Sequence, residues 1–114
     1  MVVFPLGNEA ALWDEFSPSL YKLTAILGNG AIRQTTFGLR EFMIKGRKFY
    51  CNGREIMLRG TVENCDFPIT GYPPMDEKSW ETLFRKCRSY GLNHIRFHSY
   101  CPPEAAFEAA DIVG

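Results

Sequence analysis

Two short segments hold the side chains best equipped for chemistry. One is Glu63-Asn64-Cys65-Asp66 and the other is Arg96-Phe97-His98-Ser99-Tyr100. Amide, carboxylate, guanidinium and imidazole groups in such clusters bind hydroxylated or charged ligands. Each cluster lies at the end of a segment with strand character, Met57 to Asp66 in the first case and Asn93 to Tyr100 in the second. A helical pattern over Ser79 to Tyr90 lies between them. In (β/α) barrels the functional side chains sit at the carboxyl ends of the strands. Asn64, Asp66, Arg96 and His98 are therefore the candidate ligand-binding residues.

The elements that must position these groups follow from pattern. Asp76 is a good N-cap, with Glu77 in the first turn. Trp80, Leu83, Phe84 and Cys87 recur at helical spacing, and Gly91 is a natural C-terminal stop. Leu92 to His98 reads as the next strand, and Pro102-Pro103 opens a second helix over Glu104 to Ile112. Strand, helix, strand, helix implies a parallel pair with a right-handed crossover. Period-two alternation puts Ile95 and Phe97 on one face and His94, Arg96 and His98 on the other. An inward arginine is costly without a carboxylate partner, and Glu63 and Asp66 are the nearby candidates.

Ahead of this unit the chain reads as all β. Tyr21 to Leu27 alternates up to Gly28-Asn29-Gly30, a tight-turn signal. The return strand is expected from Ala31 to about Ile44, with Gly38 as a bulge or a point of close approach. A second hairpin turns at Asn52-Gly53, between Phe49-Tyr50-Cys51 and Glu55 to Leu58. Trp80 is expected in the helical core, and Trp13 and Tyr21 in packing of the β part.

Composition narrows the function classes. The chain has 114 residues, 46% hydrophobic and 14% aromatic, which fits a packed fold rather than disorder. Formal net charge is zero, which gives no support for nucleic acid or an anionic membrane surface as partner. Lys45-Gly46-Arg47-Lys48 reads as a solvated turn. No apolar run reaches membrane-span length, and the first residues lack signal-peptide character. Cys51, Cys65, Cys87 and Cys101 form no C-x-x-C pair, so no metal site and no cofactor is expected. Four free thiols are expected, with Cys65 and Cys101 both near strand ends.

The chain resembles glycoside hydrolase family 2, the group of β-galactosidases and β-glucuronidases. The resemblance is carried by Leu12-Trp13, Ser17-Pro18-Ser19-Leu20-Tyr21-Lys22-Leu23 and Phe37-Gly38-Leu39-Arg40. It continues through Asn52 to Gly60, then Asn93-His94-Ile95-Arg96, Pro102-Pro103 and Phe107. It implies an α+β fragment: the terminal strands of an immunoglobulin-like β-sandwich (residues 1–48), then the first βαβα of a (β/α)8 TIM barrel (residues 49–114). It further implies a parent enzyme that hydrolyses terminal β-linked sugars with retention, using two glutamates. Both glutamates would lie on later strands, so no catalytic residue is assigned within this chain and the chain alone is expected to be inactive.

On the same resemblance, Arg96 matches an arginine that keeps the neighbouring nucleophile ionised. Asn64 occupies a position where galactosidases of the family commonly carry a substrate-binding histidine. The family's Ser-His-Tyr order after the arginine is here Phe97-His98-Ser99-Tyr100, with the histidine displaced by one residue. The plainer readings are an ion pair for Arg96, a backbone hydrogen bond for His98 and turn chemistry for Asn64 and Asp66. Glu63 reads as a structural partner of Arg59 or Arg96. A carbohydrate is the implied partner of the full-length enzyme, for which a secreted or periplasmic setting is compatible. The alternative is a non-catalytic interaction or carbohydrate-binding module that folds by self-association through exposed sheet edges.

Overall fold

The computed structural model describes residues 3–114 and is an α+β arrangement of three small sheets and two helices. β1 (Leu20–Ile26) and β2 (Ile32–Gly38) form an antiparallel hairpin, with Leu20 opposite Gly38 and Ile26 opposite Ile32. At its turn Gly30 has φ 84°, backbone that glycine adopts without steric cost. Ala31 N–H donates to the Asn29 side chain. Tyr21 stacks on Phe37 across the pair, at the base of the hairpin.

The return strand stops at Gly38 rather than running to Ile44, and Trp13 is the reason. A Cβ on Gly38 would lie 2.9 Å from the Trp13 side chain, so only glycine lets the indole sit there. The Trp13 backbone N–H donates to Leu39 O at 3.0 Å. The Arg40 guanidinium lies 4.5 Å from the indole centre and pairs with Asp111 at 2.9 Å. These contacts draw residues 39–41 out of the hairpin, and the chain beyond them starts a new sheet.

That sheet is antiparallel, in the order β3 (Phe42–Lys45), β4 (Lys48–Cys51), β5 (Arg54–Ile56). The expected boundary at residue 48 falls inside it. Asn52 and Gly53, with φ 49° and 76°, make the β4–β5 turn, as a two-residue loop of this kind requires. The Asn52 side chain donates to Trp13 O at 2.9 Å and accepts from Glu41 N–H at 2.8 Å. One turn residue thus ties three segments together.

The second half has the expected order: β6 (Gly60–Glu63), α1 (Glu77–Ser89), β7 (His94–Phe97), α2 (Glu104–Val113). β6 and β7 are parallel, with Gly60 opposite His94 and Glu63 opposite Phe97. Asn93 pins this register at the amino ends. Its side chain accepts from Arg59 N–H at 2.7 Å and donates to Met57 O at 3.0 Å. Gly60 is needed for the close approach, because a Cβ there would lie 2.7 Å from the His94 ring.

α1 begins at Asp76, whose carboxylate accepts from the Ser79 N–H and hydroxyl, each at 2.8 Å. These donors hold the Asp76 carboxyl below its ordinary value. The helix ends at Tyr90, followed by Gly91 with φ 78°. The core lies between the helices: Trp80, Phe84, Ala106, Ala109 and Val113, with Ile95 and Phe97 packed on them. Trp80 is fully buried, and its indole N–H is satisfied by Pro74 O at 2.7 Å. Arg88 crosses from α1 to the end of α2, donating to Val113 O at 2.6 Å and Gly114 O at 2.8 Å. Carbonyls that α2 leaves free at its end are satisfied in this way.

The remainder is open. The radius of gyration is 16.8 Å, against about 13 Å for a compact domain of this length. The accessible surface is 8854 Å², against roughly 6300 Å² for a compact protein of this mass. Leu23, Ile44, Met57 and Ile69 are among the large apolar side chains left in solvent. Among the described residues, no helix is long and apolar enough to cross a membrane.

Candidate functional site

The two candidate clusters meet because the parallel ladder continues one step past the strands. His98 N–H donates to Glu63 O at 2.8 Å. This sets Asn64 and His98 side by side at the carboxyl ends, and His98 Nδ1 lies 3.3 Å from Asn64 Oδ1. An amide oxygen only accepts, so Nδ1 carries the proton in this pairing. Two polar atoms of the pair are left over, the Asn64 Nδ2 donor and the His98 Nε2 acceptor. Neither has a further protein partner among the described residues.

The alternation expected in β7 is present. Ile95 and Phe97 pack on the helical core, whereas His94, Arg96 and His98 are exposed on the other face. Arg96 lies opposite Val62 in the register. The expected pairing of Arg96 with Glu63 or Asp66 does not form: Arg96 has no ion pair among the described residues. Asp66 is also exposed and joins neither Asn64 nor His98. Of the four candidate residues, the fold brings two into contact and leaves two as free charged groups near the strand ends.

Glu63 is engaged elsewhere than expected. Arg59 pairs with Glu15 at 3.0 Å, not with Glu63. The Glu63 carboxylate accepts from Cys65 N–H at 2.8 Å through one oxygen. Its other oxygen accepts from the Tyr100 hydroxyl. Tyr100 packs edge-on against Phe97 at 5.6 Å between ring centres, and Phe97 packs edge-on against Trp80 at 5.9 Å. Tyr100 was legible as part of the second cluster, but its link to Glu63 depends on a parallel register that residue types do not reveal.

The four cysteines are free. Cys65 and Cys101 are exposed near the site, and the Cys65 backbone has φ 61°. Among the described residues, no group of three or more His, Cys, Asp or Glu side chains could hold a metal ion. A hollow lies at the opposite end of β7, bounded by Trp13, Arg40, Cys51, Asn52, Asn93 and His94. Burial pushes the Cys51 thiol up, so it stays protonated near neutrality. This hollow is at the amino ends of the parallel strands, away from the end where such sheets bind ligands.

No family model matches the chain. Individual proteins do match along almost all of it. A β-galactosidase from Staphylococcus xylosus is 32% identical over 103 residues, which are 90% of this chain and 10% of that protein. A β-galactosidase from Thermoanaerobacterium thermosulfurigenes is 30% identical over 113 residues, covering 94% of this chain and 15% of its own length. The solved family 2 β-galacturonidase from Eisenbergiella tayi, bound to galacturonate, superposes with a TM-score of 0.78 at 26% identity over 95% of this chain and 19% of its own. The chain is a glycoside hydrolase family 2 segment. It spans 10% to 15% of the length of these two curated relatives. These matches cover 90% to 95% of the chain, so they take in both the β part and the βαβα part.

Proposed function

We propose that this segment is the junction of an immunoglobulin-like sandwich with a (β/α)8 barrel in a retaining hydrolase of terminal β-linked sugars. On this reading β6 and β7 are barrel strands one and two, and the β part closes the sandwich. The observation that carries it is the parallel β6–β7 pair with Asn64 and His98 joined at its carboxyl end, within a segment similar to β-galactosidases. Asn64 and His98 then form one edge of the sugar site. Arg96 stands ready to hold a nucleophilic carboxylate ionised, since a cation beside an acid lowers its pKa. Asp66 contributes a further acceptor near the rim.

Both catalytic glutamates lie outside this chain, so the segment supplies binding and electrostatics but no nucleophile. The sugar is of the galactose or hexuronic acid type, by similarity to proteins described as β-galactosidase and β-galacturonidase. The test compares the 114-residue chain with the intact polypeptide that carries it, on p-nitrophenyl β-D-galactopyranoside and β-D-glucuronide. The intact polypeptide should release nitrophenol with a β-configured first product, and the chain alone should release none. Turnover by the pure chain would overturn the assignment of both glutamates elsewhere.

One observation favours a second reading, a non-catalytic module that folds by self-association. The surface exceeds that of a compact protein of this mass by about 2500 Å², enough to supply a standard protein–protein interface. A dilute monomer near 13.0 kDa in sedimentation would remove this reading.

A further inference from the structure

We infer that Glu63 and Tyr100 form a positioning latch that holds Asn64 and His98 as a donor–acceptor pair for a sugar hydroxyl. The inference rests on the glycosidase reading above and deepens it. Glu63 spends both carboxylate oxygens across the mouth of the β6–β7 pair, one on Cys65 N–H and one on the Tyr100 hydroxyl. Asn64 is the residue spanned by the first of these bonds. The carboxylate therefore fixes the turn from which the Asn64 side chain projects.

Tyr100 gives this turn a rigid footing. Its ring packs on Phe97, which packs on the fully buried Trp80. A continuous set of contacts runs from the helical core through Phe97 and Tyr100 to Glu63, and from there to Asn64 and His98. The pair it orients has matched chemistry. With Asn64 Oδ1 accepting from His98 Nδ1–H, the free atoms are one N–H donor, Asn64 Nδ2, and one acceptor, His98 Nε2. A hydroxyl both accepts and donates, so it satisfies the two together. A carboxylate only accepts and would leave the His98 Nε2 lone pair facing another acceptor. Glu63 and Tyr100 do not themselves touch the substrate in this arrangement.

The test uses the intact polypeptide, with p-nitrophenyl β-D-galactopyranoside and β-D-glucuronide as probes. Tyr100→Phe removes only the hydroxyl and keeps the ring on Phe97. It should lower kcat/KM roughly tenfold, as loss of alignment does. Asn64→Ala should lower it at least as far, and the double variant should match Asn64→Ala within about twofold, because the latch acts through Asn64. Glu63→Gln keeps one acceptor oxygen and should lose less than Tyr100→Phe. Losses that multiply in the double variant would assign Tyr100 a purely structural role and overturn the proposal.

Crystal structures of the wild type and Tyr100→Phe give a readout independent of turnover. The Asn64–His98 contact should be present in the first and lost in the second. An unchanged contact overturns the latch even if activity falls. Absence of turnover by the wild type would instead overturn the glycosidase reading, and the crystal structures would still decide the latch.

Discussion

The two halves of the chain bury their apolar side chains very differently. Among the described residues, the βαβα half contains five of the six buried core residues, and the β part contributes Cys51. Every residue from Lys22 to Thr36 in the β1–β2 hairpin is exposed. Both have good local patterns, so pattern alone does not confer stability. Two amphipathic helices across a parallel pair enclose a core, whereas a lone two-stranded ribbon has two open faces and nothing to bury against. The candidate site is built on the half that encloses its own core.

The largest effect should come from breaking that core. Trp80→Ala removes a fully buried indole and orphans Pro74 O. Such truncations cost about 3–5 kcal/mol, a large fraction of the stability of any small domain. Amide hydrogen exchange should show protection lost throughout α1, β7 and α2. Leu23→Ala on the hairpin, where the side chain is 54% exposed, should leave that protection unchanged. Equal losses from the two substitutions would mean that the halves share one cooperative core.

A smaller effect is expected at the joint between the halves. Trp13 donates its indole N–H to Asp111 O at 2.7 Å, fills the space above Gly38 and lies under Arg40. It is the main link from the β part to α2. Trp13→Ala should cost about 2–3 kcal/mol, less than Trp80 because the indole is only half-buried. Exchange should accelerate first around residues 39–41 and at the end of α2, while the α1 amides remain protected. Loss of protection spread evenly over both halves would contradict a joint that can fail by itself.

The same contrast explains what the sequence made legible. The elements of the βαβα half were readable because cap, stripe and stop agree: Asp76, then Trp80-Leu83-Phe84-Cys87, then Gly91. The hairpin turns were readable from Gly28-Asn29-Gly30 and Asn52-Gly53, where chemistry dictates backbone. The end of β2 was not readable. It is set by Trp13 reaching across from a distant loop, and Gly38 in the strand pattern from Ala31 to Ile44 reads equally well as a bulge within a continuing strand. At the candidate site, strand-end position singled out Asn64, Asp66, Arg96 and His98, and the parallel register brings Asn64 and His98 into contact. The partner of Glu63 did not follow, because Arg59 and Arg96 suit it by charge, ahead of the neutral Tyr100 hydroxyl. Arg59 is taken by Glu15, and the packing of Tyr100 on Phe97 brings its hydroxyl to Glu63 instead.

The smallest effect, and the sharpest comparison, comes from two aspartates with the same local role in the two halves. Asp14 accepts from Phe16 N–H at 2.7 Å and Ser17 N–H at 2.8 Å in the joint loop. Asp76 accepts from Ser79 at the start of α1. Backbone N–H donors hold both carboxyls below their ordinary value of 3.8. A depressed carboxylate contributes stability that is full above its unfolded value and fades as the pH falls through the folded one. Acidification from pH 5 towards pH 2 should therefore loosen both the joint loop and the first turn of α1. Asparagine still accepts at such positions but does not titrate. Asp76→Asn should remove the acid-induced rise in exchange at residues 77–80 and leave that at residues 14–17. Asp14→Asn should do the reverse. If either variant quiets both regions, the joint transmits strain between the halves, and the helical half is less self-contained than its buried core implies.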